Sequence, residues 1–247
     1  MEDSQFIHRA QELWQRSQER SIVTHTSFLT PAQQHAIQKL PYLAPSLYLF
    51  GGQEGTERQI AFFLPDYLQV ENFDPSQYIW AFYISCRFGS IGHRDVLGSL
   101  LGLGLARWSI GDIYTQGEDG WFFCLPSVGT AIANDLEKVG RNGARVEKVS
   151  LEQVPMAEKK REEVKFTVNT LRLDSIVAGT FGLSRQNAVK QIEAGLVQCN
   201  YEICEKISVQ LVPGDVFSLR GYGKACLKEV GGKSRKEKTY VTVERYV

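Results

Sequence analysis

The chain has 247 residues, 43% of them hydrophobic and 23% charged, with 28 Lys+Arg balanced by 28 Asp+Glu. That is the composition of a globular protein with enough length for one large core or two modest ones. No apolar run approaches the roughly 18 residues that span a bilayer, and the start, MEDSQFIHRAQELWQR, lacks the apolar stretch of a secretory signal. Five scattered cysteines (Cys86, Cys124, Cys199, Cys204, Cys226) contain no C-x-x-C pair. They fit reduced thiols in a cytoplasmic compartment better than a disulfide framework or a structural zinc site. Neither a metal nor a cofactor is expected.

The zero net charge hides a division. Residues 165–247 hold 13 Lys+Arg against 8 Asp+Glu, leaving 15 against 20 for residues 1–164. A basic C-terminal third on an acidic body places any contact with nucleic acid there.

In chain order, the first forty residues read as helices, and residues 1–45 are expected to form a helical segment. Thr30-Pro31-Ala32-Gln33 gives a helix start: a Thr cap, Pro at the first position and Gln at the third. LYLFGG and RQIAFFLPDY read as strands joined by the turn-rich GGQEGTE. From residue 79, IWAFYISC is a strand, 93–107 a helix, IGDIYT and GWFFCL strands, and VGTAIANDLEKVG a helix ending at Gly140. ARVEKVS closes as a strand. This β-α-β-β-α-β order predicts an RRM-like or ferredoxin-like domain over 46–152 in an α+β protein. Gly98, Gly102 and Gly104 have the wrong order for a dinucleotide loop and suggest close helix packing instead. The aromatics of 79–85 and 119–125 sit where an RRM stacks bases, but with Asp119 at the usual basic position they read as core.

Residues 153–166 are highly charged and read as a linker. The last unit, 167–247, begins with Leu173, Ile176 and Val177 on one face of a short helix. Ser184 caps a second helix whose Ala188, Val189 and Ile192 face inward and which ends at Gly195. Strands follow around a turn near Tyr201-Glu202, where Cys199 and Cys204 would lie opposite each other. The sequence then continues through VFSLR to a hairpin with the basic tip GGKSRKEK.

Several spaced elements here resemble the S4 RNA-binding domain over roughly 170–222: Arg172-Leu173-Asp174, Ser184-Arg185 with Ala188, Gly195-Leu196-Val197, Asn200, and Gly214-Asp215 before a strand. Leu196 stands where the pattern often has His, and Tyr201 where it has Gly. The residue chemistry agrees. A helix starting at Ser184 offers free backbone N–H groups and a positive dipole end, and Arg185 adds a planar guanidinium suited to phosphate. Gln186 and Lys190 share a helix face. Arg172, Ser184, Arg185, Gln186, Lys190 and Asn200 are the expected RNA contacts, with Arg220 and Lys224 from the glycine-rich RGYGK. Asp174 is read as a helix cap or an arginine partner. His93 and Arg94, together with Lys233, Arg235, Lys236 and Lys238 at the hairpin tip, are secondary candidates.

Beyond the S4 segment, GHRDVLGSLLGLGLARWSIGDI (92–113) and FFLPDY (62–67) resemble the YlmH family, including its branch of photosystem II S4-domain proteins, over nearly the whole chain. The resemblance implies a non-catalytic protein that binds structured ribosomal or transfer RNA on the large ribosomal subunit, where bacterial relatives act on stalled subunits. It also brings ties to cell division and photosystem II, so an adaptor role is an alternative. A pseudouridine synthase is another, since those enzymes also carry S4 domains, but their catalytic motifs are missing here. No Ser-His-Asp set, paired-carboxylate motif or phosphate loop can be read, so no catalytic residue is assigned.

Overall fold

In the computed structural model, which describes residues 3–87, 89–156 and 161–246, α1 (Asp3–Arg20) buries Phe6 and Ala10 against Leu29, Ile37 and Leu43. The N-terminal segment is not wholly helical as expected. IVTHTSFL is rich in β-branched residues, which favour strands, and β1 (Thr24–Leu29) follows α1 directly. Thr30 then starts α2 (Pro31–Gln38) with a full capping box: its hydroxyl accepts from the Gln33 amide, and the Gln33 side chain accepts from the Thr30 amide. β2 (Leu47–Phe50) and β3 (Gln59–Phe63) complete an antiparallel sheet in the order β1-β3-β2.

The next elements are β4 (Trp80–Cys86), α3 (His93–Gly102), β5 (Ile110–Gln116), β6 (Asp119–Cys124), α4 (Pro126–Asp135), β7 (Lys138–Val139) and β8 (Asn142–Val149). Their sheet runs β5-β6-β4-β8-β7 with antiparallel neighbours. Apart from the short β7, that is the split βαβ arrangement the element order predicted. Gly140 does not end α4; at φ 60° it turns the β7–β8 hairpin. One face of the sheet places Phe82, Ile84, Phe122 and Cys124 against Val96, Leu100 and Ile132. On the other face Ala81 and Phe123 are covered by Phe28, Ile60 and Phe62 of the β1-β3-β2 sheet. Most of the aromatics in an RRM's stacking positions are therefore core. Tyr83 and Trp121 are half-buried, 5.4 Å apart, and the Tyr83 hydroxyl donates to Asp119.

The expectation that the α3 glycines permit close packing is overturned. A Cβ at Gly98, Gly102 or Gly104 would meet nothing within 4 Å, and Gly104, at φ 79°, follows the helix end. Gly98 is an exposed interior position of the helix. Gly98→Ala is expected to stabilise the protein by about 0.5–1 kcal/mol through reduced backbone entropy in the unfolded chain, visible as a melting temperature a few degrees higher.

Residues 158–247 form a separate unit from residues 1–157. It contains β9 (Arg161–Val168), α5 (Leu173–Phe181), α6 (Arg185–Glu193), β10 (Val197–Cys199), β11 (Glu202–Ile203), β12 (Val216–Leu219), β13 (Gly223–Lys233) and β14 (Thr239–Tyr246). The sheet order is β11-β10-β12-β13-β14-β9. Of the expected linker, residues 157–160 lie outside the described residues, and 161–166 are strand rather than linker. β9 pairs with β14 along its whole length, from Arg161↔Tyr246 to Val168↔Thr239. Its charges occur there because Arg161, Glu163 and Lys165 share the sheet's outer face, while Phe166 and Val168 join the core. On the inner face Leu173, Ile176, Val177, Ala188 and Ile192 pack on Val197, Phe217, Leu219, Leu227 and Val243. The register pairs Cys199 with Glu202 rather than Cys204, and all five cysteines are free thiols.

Candidate nucleic-acid interface

α6 begins where Ser184 leaves the helical conformation and its hydroxyl accepts from the Asn187 amide at 3.2 Å. The next amides, of Arg185 and Gln186, precede the first residue that can find an acceptor within the helix. They point outward at the positive end of its dipole. Gln186 and Lys190 are exposed on the same side, and Ala188 and Ile192 are buried on the other.

Asp174, in the first turn of α5, organises this end. Its side chain is only 2% exposed; one carboxylate oxygen accepts from Arg172 Nε at 3.0 Å and the other from Arg185 Nε at 2.8 Å. Burial alone raises the Asp174 pKa, but the bonds from Arg185 and Arg172 outweigh it and hold the carboxyl below its ordinary value. Two guanidiniums share one carboxylate, so the cluster keeps one net positive charge. Arg185 remains 55% exposed, and the bond through Nε leaves its two Nη groups outside the pair. It is thus fixed in direction and still open to a phosphate. Arg172 is 29% exposed and stands at the N-cap position of α5 with its side chain turned to Asp174, so its principal place is in the support of this cluster rather than at its surface.

The remaining expected contacts are not all on this side. Asn200, with φ 49°, is built into the β10–β11 turn: its amide donates to Asp215 at 2.8 Å and accepts from the Val216 amide at 3.0 Å. Both ends of its side-chain amide are thus engaged in holding the turn. Phe217 and Ala225 point into the core as a cross-strand pair, so Ser218 and Lys224, paired beside them, face the opposite side from the helices. Arg220 is exposed in the β12–β13 turn. Lys224 Nζ lies 5.0 Å from the Tyr201 ring and 5.1 Å from the Tyr246 ring. Sequence reasoning missed these rings as partners, because only the strand register brings residues 201, 224 and 246 together.

His93 and Arg94 are exposed at the start of α3, where Asp95 accepts from the Gly92 amide at 2.9 Å. At the hairpin tip, Ser234 Oγ accepts from the Lys236 and Lys238 amides. This leaves Lys233, Arg235 and Lys236 exposed and Lys238 half-buried. Among the described residues, no group of three or more His, Cys, Asp or Glu side chains could hold a metal ion, and no helix is long and apolar enough to cross a membrane.

Two short helices, the second capped at Ser184, set on an antiparallel sheet and led by a buried aspartate–arginine cluster, define an S4-domain protein. Residues 171–217 match the S4 domain family, and residues 76–155 match the family described as "Putative RNA-binding domain in YlmH". The chain belongs to the YlmH family. It is 31% identical over 242 residues to the "Ribosome-associated protein quality control protein P2" of Bacillus subtilis (strain 168), covering 97% of this chain and 94% of that one. In fold it is similar to "Cell division protein ylmH from Streptococcus pneumoniae", with a TM-score of 0.50 and 23% identity over 62% of this chain and 94% of that chain.

Proposed function

We propose that this protein binds structured ribosomal or transfer RNA on the large ribosomal subunit, in the cytoplasm, and acts there in quality control without altering the RNA chemically. The observation that carries this reading is the half-exposed Arg185 guanidinium, held by a buried carboxylate at the N-terminus of α6 with Gln186 and Lys190 beside it. The name of the Bacillus subtilis relative supports the ribosome and quality control as the setting. Binding rests on phosphate contacts, and the shape of the RNA supplies most of the selectivity. The N-terminal unit also holds a cavity of about 810 Å3. Its Asp74 directs both carboxylate oxygens to Ser76, as a helix cap.

The test is the salt dependence of affinity for a folded ribosomal RNA fragment. Each neutralised phosphate contributes roughly 0.7–0.9 to the slope of log affinity against log salt. Arg185→Ala is therefore expected to lower the slope by about one unit or less, and Arg185→Ala/Lys190→Ala by about 1.4 to 1.8. An affinity indifferent to salt in the parent protein, or a slope unchanged in the double variant, would refute the reading.

A further inference from the structure

On the outer face of the C-terminal sheet, one cross-strand row runs Gln198↔Ser218↔Lys224↔Tyr246↔Arg161, through β10, β12, β13, β14 and β9. It crosses five strands about 4.8 Å apart, or roughly 19 Å. Tyr201, in the left-handed conformation at φ 71°, brings a second ring to it. Lys224 Nζ lies between the two rings, and Arg161 Cζ is 5.3 Å from the Tyr246 ring. Aromatic and cationic groups thus alternate: Tyr201, Lys224, Tyr246, Arg161. At the Ser218 end the row continues into a concavity of about 410 Å3 whose lining includes Gln198, Ser218, Arg220 and Gly221.

We propose that this face is a track for an unpaired RNA strand, with bases stacked on Tyr201 and Tyr246 and phosphates received by Lys224, Arg161 and Arg220. The proposal rests on the RNA-binding reading above but uses the opposite side of the sheet and a different ligand shape. Single-strand sites pair a basic groove with aromatic platforms, because every base has a π-face to stack. An A-form duplex keeps its bases inside and cannot use such rings. Gln198 and Ser218 add neutral donors and acceptors for base edges.

The carboxylates of this face do not lie in the row. Glu163 and Glu244 face each other one step along the strands, where Lys228 bridges them at 2.7 and 2.8 Å. Glu244 also accepts from Arg161 at 2.8 Å, and Glu163 lies 3.4 Å from Lys165. Glu229 is on the same face, opposite Thr242. Among the described residues of β9, β13 and β14, the four cations Arg161, Lys165, Lys224 and Lys228 face these three carboxylates. The electrostatic attraction is modest, so stacking carries the larger share of binding. The salt slope for a single strand is then shallower than for folded RNA on the α6 side.

The experiment compares two fluorescein-labelled RNAs on the full chain by anisotropy: a 15-nucleotide oligouridine and a fully paired hairpin. The parent protein is expected to bind both. Tyr201→Ala/Tyr246→Ala is expected to weaken oligouridine binding by about tenfold or more, since one stacked base is worth roughly five- to 150-fold, and to leave the hairpin within about twofold by the same reasoning. Tyr201→Phe/Tyr246→Phe keeps the stacking surface and retains oligouridine binding. Arg185→Glu/Lys190→Glu gives the reverse pattern and loses the hairpin. Photocrosslinking the unsubstituted protein to a 5-bromouridine strand guards against misfolded variants: adducts at Tyr201 or Tyr246 support the track, and adducts only elsewhere overturn it. Oligouridine affinity unchanged in the alanine pair, or hairpin binding without oligouridine binding in the parent, also overturns it. Failure to bind either RNA would instead sink the RNA-binding reading itself.

Discussion

Asp174→Ala is expected to cost the C-terminal unit about 2–4 kcal/mol and to loosen Arg185. Breaking a buried pair by removing one partner typically costs about 3–5 kcal/mol, and the half-exposed Arg185 moves this case to somewhat lower values. The carboxylate is only 2% exposed and accepts from two guanidiniums. It also lies in the first turn of α5, where a negative charge favours the helix. Urea unfolding at neutral pH would show the loss as a lower midpoint. A midpoint unchanged by the substitution would mean that the cluster is not structural.

The same group gives a pH dependence with a definite sign. The folded Asp174 pKa is held below its ordinary value, near 3.8, by Arg185 and Arg172 against the opposing effect of burial. A carboxyl with a lowered folded pKa contributes stability that is present above the unfolded value and lost as the pH falls through the folded one. The stability gap between the parent protein and Asp174→Asn should therefore be full above about pH 4 and narrow below it. Urea midpoints of the two proteins at pH 7 and pH 3 measure that change directly. Parallel midpoints across this range would contradict the ion-pair account.

Gly179→Ala is the second substitution with a large expected effect. A Cβ at this position of α5 would sit 2.2 Å from the Phe166 ring of β9, so the helix and strand must separate or the ring must leave its site. Overpacking of this kind costs about 1–3 kcal/mol or more, partly offset by the roughly 1 kcal/mol that alanine gains over glycine in a helix. A net loss of about 1–2 kcal/mol is expected. Because the three nearest atoms all belong to the Phe166 ring, Phe166→Leu in the same chain should recover part of the loss. A double-mutant cycle would then show coupling, whereas additive losses would place the cost elsewhere.

What the sequence disclosed follows the range of each interaction. The caps at Thr30 and Ser184 are local, three residues from hydroxyl to amide, and were readable from residue type and spacing. The βαββαβ order was readable because each element carries its own hydrophobic period. β9 was not: four of its first five residues are charged, and only pairing with β14 places Arg161, Glu163 and Lys165 together on an outer face. β1 was hidden by the helices on either side. Among the site residues, Arg185 and Lys190 could be placed on a helix surface, and Asp174 could be read as an arginine partner. The withdrawal of Asn200 into a turn, and the meeting of Tyr201, Lys224 and Tyr246, depend on register across strands far apart in the chain. The glycines of α3 suggested contact through their small size, and the structure leaves their surroundings open.

The pairing of β9 with β14 also bears on how the chain is made. The first strand of the C-terminal unit has its hydrogen-bonding neighbour in residues 239–246, so during translation it must wait for most of the unit to emerge before its ladder can form. Until then Val164, Phe166 and Val168 belong to an unpaired edge of the sort that invites association with other nascent chains. The charged residues alternating with them act as gatekeepers during that interval.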